Sequence, residues 1–284
     1  NTDKYSNHGN LQAGNNLSLI TKDTIDYNGG FYANKDIFIK TTDDFINNTK
    51  LISNNNLIIN ANNITNKGTI HSLNDMSLNS YLNLNNFGEI ASNKNLFINS
   101  NYLMNNKANI YSNKALIINS NDILNIDKST LYSKDDMILN TNNLINKDSS
   151  NIISDKNLNI FYVKDKISDD NILILNDDNY KNYKSSKIDN LSSLMYSGSD
   201  MSINAKELNN KSLDELKAVK EKIKKTIYLG CDGWGGFECS NAVLNLSVDK
   251  NTVLKIKNEI LDKYNNQIDD KTLNNELIKK LTPL

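Results

Sequence analysis

Apolar residues recur along this chain in pairs two positions apart, and the pairs themselves recur at steps of 19 to 21 residues. The series runs Leu17 with Leu19, Ile37 with Ile39, Leu57 with Ile59, Met76 with Leu78, Leu96 with Ile98, Leu116 with Ile118, Met137 with Leu139, and Leu158 with Ile160. A spacing of two puts both members on one face of a β-strand. Two companion elements keep step with these anchors. Four residues before each anchor an Ile-x-Ser-like strand ends, at Ala33, Ser53, Ser72, Ser92, Ser112, Ser133 and Ser154. After each comes an apolar-x-Asn element: Phe45 and Asn47, Ile64 and Asn66, Leu84 and Asn86, Leu103 and Asn105, Ile123 and Asn125, Leu144 and Asn146. Each period therefore predicts three short strands and three turns.

Equivalent residues return in the same order and direction, so the strands stack in parallel, one turn of chain per repeat. The expected architecture is an all-β parallel β-helix of about nine coils of about 20 residues, spanning 9–212. Leu and Ile at the anchors line its interior. Asn, about a fifth of the chain, recurs at one place in successive coils, where stacked side-chain amides form a ladder. It also tolerates the left-handed backbone of tight turns.

Composition narrows the function. The 284 residues can bury a sizeable core. Apolar content is 38%, but the regular Leu and Ile spacing argues against disorder. All 32 basic residues are Lys and the formal charge is -1, so no basic footprint for nucleic acid is present. No run of 18 apolar residues occurs, and the first ten lack the basic-then-apolar order of a signal peptide. With the repeat already under way at Leu17, the chain reads as a segment of a longer protein.

Two stretches, Ile64-Thr-Asn-Lys-Gly-Thr-Ile70-His-Ser72 and Phe87-Gly-Glu-Ile-Ala-Ser-Asn-Lys-Asn-Leu-Phe-Ile98, carry a resemblance to the repeats of the filamentous haemagglutinin family. These are exoproteins of Gram-negative two-partner secretion, among them adhesins and the sticks of contact-dependent growth inhibition. The likeness covers about 9–160 and 195–212. It implies a right-handed β-helix, secretion to the cell surface of a Gram-negative bacterium, an outer-membrane secretion partner for the parent protein, and contact with a receptor or glycan of another cell. The amino-terminal secretion domain and the Val-Glu-Asn-Asn motif that often precedes a toxin are not found in this sequence. The alternative implied is a passive segment of a toxin-delivery protein.

Breaks in the repeat are candidate functional elements. After Ile160 the apolar-x-Asn element fails, and the pattern resumes at Met195-Tyr-Ser197 with the anchor Met201 and Ile203, so 161–194 reads as an excursion. It carries Tyr180 and Tyr183 in an acidic setting as binding candidates, although a strand pair padding the shaft is the favoured reading. Beyond Asn210 the period changes. Ser212 and Glu215 suggest a capping box, and Leu213, Leu216, Val219, Ile223 and Ile227 fall near helical spacing. Next, Cys231 and Cys239 enclose Trp234 and Phe237; two close cysteines in a secreted chain read as a disulfide-closed loop. The aromatic pair is either a recognition tip or a cap on the open core. A strand at 243–248 and helices near 252–264 and 272–281 complete an expected α-rich extension over 213–284.

No enzyme is expected. The adjacent acidic pairs Asp43 with Asp44, Asp135 with Asp136, and Asp177 with Asp178 would point to opposite faces of a strand, whereas hydrolysis needs carboxylates converging on one surface. The repeating serines have no His beside them. The two histidines, His8 and His71, lie too far from the cysteines to suggest a zinc site, and neither a metal nor another cofactor is expected.

Overall fold

In the computed structural model each period forms one turn of a parallel β-solenoid, and the structure describes residues 5, 9–164, 183–212, 222–228, 241–247, 259, 263 and 276. The first coil holds β1 (Leu11–Ala13), β2 (Leu17–Thr21) and β3 (Ile25–Tyr27); the second holds β4 (Phe31–Ala33), β5 (Ile37–Thr41) and β6 (Asp44–Asn47). Four coils follow with two strands each: β7 (Lys50–Ser53) and β8 (Leu57–Asn66), β9 (Thr69–Ser72) and β10 (Met76–Asn86), β11 (Glu89–Ser92) and β12 (Leu96–Asn106), β13 (Asn109–Ser112) and β14 (Leu116–Ile126). The seventh comprises β15 (Thr130–Ser133), β16 (Met137–Asn140) and β17 (Asn143–Lys147). The eighth comprises β18 (Asn151–Ser154), β19 (Leu158–Phe161) and β20 (Ser185–Leu191), and the ninth β21 (Leu194–Ser197), β22 (Met201–Ile203) and β23 (Ala205–Lys211).

Three strands per coil is thus right for the outer coils and wrong for the middle four. There the anchor strand runs on round the corner into the apolar-x-Asn element, giving strands of 10 or 11 residues. The corner residue points inward and is small: Ala61, Ser80, Ser100 and Ser120 are all buried. Without a bulky side chain or a tight turn at that point, ladder hydrogen bonding continues through the bend. The Ile-x-Ser strands form a nine-stranded sheet and the remaining strands of the coils a 14-stranded one.

The core follows the pattern read from sequence. From Ile37 to Ile160 every anchor residue is at most 1% exposed, each burial contributing on the order of 1.5–3 kcal/mol. The third element supplies the polar spine. Asn47 donates from Nδ2 to Asn66 Oδ1 at 2.6 Å, and the relay continues through Asn86, Asn105, Asn125, Asn146, Asn190 and Asn210 at 2.8–2.9 Å. Tyr27 starts it, its hydroxyl donating to Asn47 Oδ1 while its ring stacks on Phe31 with centroids 4.0 Å apart. Buried amides are tolerable because each finds partners in the next coil.

The serines of the Ile-x-Ser strands chiefly hold turns, with one longer contact between coils from Ser72 Oγ to Ser92 Oγ at 3.4 Å. Ser112 Oγ shares its one proton between Ala115 O at 2.8 Å and Lys94 O of the preceding coil at 2.6 Å, and Ser53, Ser92, Ser154 and Ser197 repeat this three-centre arrangement. The turn after the Asn ladder is held closely to the coil before it. A Cβ on Gly88 would lie 2.1 Å from Gly68 O. Later coils lengthen this turn and use positive φ at Lys107, Asp127, Lys128, Asp148, Ser149 and Ser192.

The excursion is shorter than expected. Ile188 and Asn190 are the missing apolar-x-Asn pair of the eighth coil: β20 pairs with β17 and β23, Ile188 is buried, and Asn190 joins the ladder. Only 162–184 lies between strands of that coil, and 165–182 falls outside the described residues.

The chain divides into compact units at 1–212 and 213–284. The α-rich extension is not supported: no helix is delimited among the described residues. In their place is an antiparallel pair, β24 (Lys222–Tyr228) and β25 (Asn241–Ser247). Residues 222–228, expected to continue a helix, follow the strand-forming run Ile-Lys-Lys-Thr-Ile-Tyr because an antiparallel partner is available 13 residues downstream. Apart from the helical positions 259, 263 and 276, the two later expected helices lie outside the described residues.

Candidate functional site

With the interior committed to packing and ladders, the outward positions carry what remains. On the nine-stranded sheet, the residue between Ile and Ser in each Ile-x-Ser element faces out. In register these are Gln12, Tyr32, Ile52, His71, Ala91, Tyr111, Tyr132, Ile153 and Tyr196. Four of the nine are tyrosines, one strand spacing of about 4.8 Å or a multiple of it apart. Tyr111 and Tyr132 meet edge to face, centroids 6.0 Å apart, and Tyr196 is 50% exposed.

Ala91 opens a gap in this row. Beside it lies a groove of about 350 Å³ lined by Ala91, Ser92, Asn93, Tyr111, Asn113 and Tyr132. Its wall is fixed by Tyr132, whose hydroxyl donates to Asp155 Oδ2 at 2.6 Å. That hydrogen bond, with burial and the nearby negative charge, pushes the phenol up to about 12. His71 belongs to the same face, Nε2 3.4 Å from Asn93 Oδ1. Sequence reading missed this row although its signal is plain: the unspecified x of Ile-x-Ser is aromatic in four coils.

The outer face of the 14-stranded sheet is partly covered. Ile117 and Ile138 point outward between anchor residues yet are 1% and 5% exposed, because Phe161 packs on them with Phe97 and Val163 alongside. Val163 N donates to Asn140 Oδ1 at 2.7 Å, closing an outer ladder through Asn119, Asn99, Asn79 and Asn60. The chain thus leaves the eighth coil by folding over its neighbours.

Of the residues singled out from sequence, Tyr183 is described and 39% exposed, next to the start of β20. Tyr180, Trp234, Phe237, Cys231, Cys239, His8, Asp177 and Asp178 lie outside the described residues. The other acidic pairs are engaged between coils. Asp43 accepts from Thr24 Oγ1, Asp44 from Asn63 Nδ2 and Asp136 from Asn157, while Asp135 pairs with Lys156 at 2.8 Å. Among the described residues no group of three or more His, Cys, Asp or Glu side chains is placed to hold a metal ion, and no helix is long and apolar enough to cross a membrane. No family model, curated protein or solved structure matches the chain.

Proposed function

We propose that this chain is a non-catalytic shaft segment of a secreted, surface-exposed exoprotein, and that it makes contact with another cell through residues carried on its flank. The observation behind this reading is the division of labour between faces. Inward polar groups are consumed by inter-coil hydrogen bonds, whereas tyrosines repeat in register on the outside. Aromatic side chains on a rigid support supply contact area at little entropic cost.

The cellular setting is drawn from the resemblance of residues 64–98 to filamentous haemagglutinin repeats: a shaft at the surface of a Gram-negative cell, exported by two-partner secretion. A right-handed winding accords with the strong preference of parallel crossovers. The stretch 230–239, with Trp234 and Phe237 between the two cysteines, is proposed as a second contact element closed by a disulfide.

Flow cytometry with the labelled chain on candidate partner cells tests the reading. Saturable binding is expected, reduced severalfold by Tyr111→Ser with Tyr196→Ser in a variant of unchanged far-UV circular dichroism. Absence of saturable binding, or binding indifferent to both substitutions, would overturn it.

A further inference from the structure

We propose that a groove beside Tyr81, on a different corner of the solenoid from the tyrosine row, binds a neutral saccharide. The inference rests on the reading of the flank as a contact surface. In β10, Ser80 pairs with Ala61 and Asn83 with Asn63, so Tyr81 and Leu82 together stand opposite Asn62 alone. This is a β-bulge, one extra residue that re-aims its neighbours. The coils on either side turn the same corner without it, through Ala61-Asn62 and Ser100-Asn101. Folding therefore does not require it. Its effect is to present Tyr81 79% exposed and Leu82 40% exposed, the former the most exposed large hydrophobic side chain among the described residues.

The bulge is held firmly. Ser80 Oγ donates to Asn83 O at 2.6 Å and to Asn62 O at 3.1 Å. Asn83 donates from both N and Nδ2 to Asn63 Oδ1, at 3.2 and 2.8 Å. With the backbone of the bulge held, only the side-chain torsions of Tyr81 remain to be ordered when a ligand stacks on its ring.

Beside Tyr81 lies a groove of about 390 Å³ crossing three coils, its polar lining Thr41, Thr42, Asn60, Asn62, Asn79 and Ser80. No lining residue is charged, which favours a neutral ligand. Hydroxyls and carboxamides both donate and accept, the pattern that sugar hydroxyls present in return. The Asn62 side chain has no hydrogen bond among the described residues, and Tyr81 offers a face for the apolar side of a pyranose ring. Three coils span about 10 Å, room for two sugar rings if an extended chain advances roughly one strand spacing per ring. A peptide adding as a strand is excluded, because β5, β8 and β10 already have neighbours on both sides.

Titration calorimetry of the full chain with neutral oligosaccharides of galactose, glucose, mannose and N-acetylhexosamines, and with sulfated and sialylated counterparts, tests the proposal. We expect binding of at least one neutral member, weakened at least about tenfold by Tyr81→Ala and nearly retained by Tyr81→Phe, whose ring still stacks. Asn62→Leu serves as the second variant and is expected to weaken binding as well. Silence across the neutral panel, preference for the anionic members, or neutral binding unaffected by Tyr81→Ala would each overturn it. Cell binding that persists in such a case would leave the proposed contact function standing and remove only this site.

Discussion

Replacing Asn105 by Ala should cost far more than the same change at Asn99, although both belong to asparagine ladders of the same coil. Asn105 is fully buried. It accepts from Asn86 Nδ2 at 2.8 Å and donates to Asn125 Oδ1 at 2.9 Å, to Ala108 O at 3.1 Å and to Thr130 O at 3.2 Å. Truncation deprives Asn125 Oδ1 of its donor in a dry interior, at about 1–3 kcal/mol, and leaves a small cavity. The expected total is about 2–5 kcal/mol. Asn99 donates to Asn79 and accepts from Asn119, at 2.7 and 2.8 Å, on the half-buried outer face. Water can reach Asn79 directly and Asn119, itself buried, through the space that Asn99 vacates, so the loss should stay at about 1 kcal/mol. Urea denaturation followed by far-UV circular dichroism compares the two. Because each coil touches only its neighbours, Asn105→Ala should also broaden the transition as the fifth and sixth coils uncouple. Equal midpoint shifts for the two variants would refute the idea that dryness, rather than the ladder itself, sets the energy.

Gly88→Ala places a Cβ 2.1 Å from Gly68 O and should lower stability by about 2 kcal/mol or more; an unchanged thermal midpoint would show that the turn can move away. Phe161→Ala uncovers Ile117 and Ile138 and should cost about 3 kcal/mol, read as a lower urea midpoint together with dye binding to the exposed patch. Tyr132 has its phenol pushed up to about 12, first by the hydrogen bond to Asp155, so the neutral form is favoured in the folded chain. Its contribution is complete below the ordinary tyrosine value near 10 and is lost as pH rises through 12. The stability difference between the native chain and Tyr132→Phe should therefore be constant from pH 7 to 9 and shrink above 10; a difference unchanged at pH 12 would contradict that assignment.

The solenoid was legible because its repeat is enforced by chemistry at fixed places. Apolar anchors must face inward and buried amides must find one another, so Leu96, Ile98 and Asn105 leave the same mark in every coil. The eighth coil was legible too but misread: Asn190 stands seven residues before Ser197, the interval that separates Asn105 from Ser112, with Ile188 two positions ahead of it as Leu103 is ahead of Asn105. The intervening excursion hid the match. Merging of anchor and third strands was not visible, since a small residue such as Ser100 at a corner has the same composition as a turn. The helix expected from Leu213 failed at Ile223 and Ile227 because a spacing of four satisfies both helical and strand periods, and pairing with 241–247 decides between them. The tyrosine row was visible at the x of Ile-x-Ser but lies outside the repeating core, whereas the Tyr81 bulge shows only once the register of β10 against its neighbours is known.

The repeat is spent on the interior, one turn of chain per period, through apolar anchors and the buried asparagine ladder. Side-chain amide NOEs in a multidimensional NMR spectrum test this most directly. The Nδ2 protons of Asn86 should show cross-peaks to those of Asn105, Asn105 to Asn125, and Asn125 to Asn146, pairs 19 to 21 residues apart, and all should exchange slowly with solvent. Cross-peaks confined to residues a few positions away, with exchange as fast as that of an exposed amide, would contradict it.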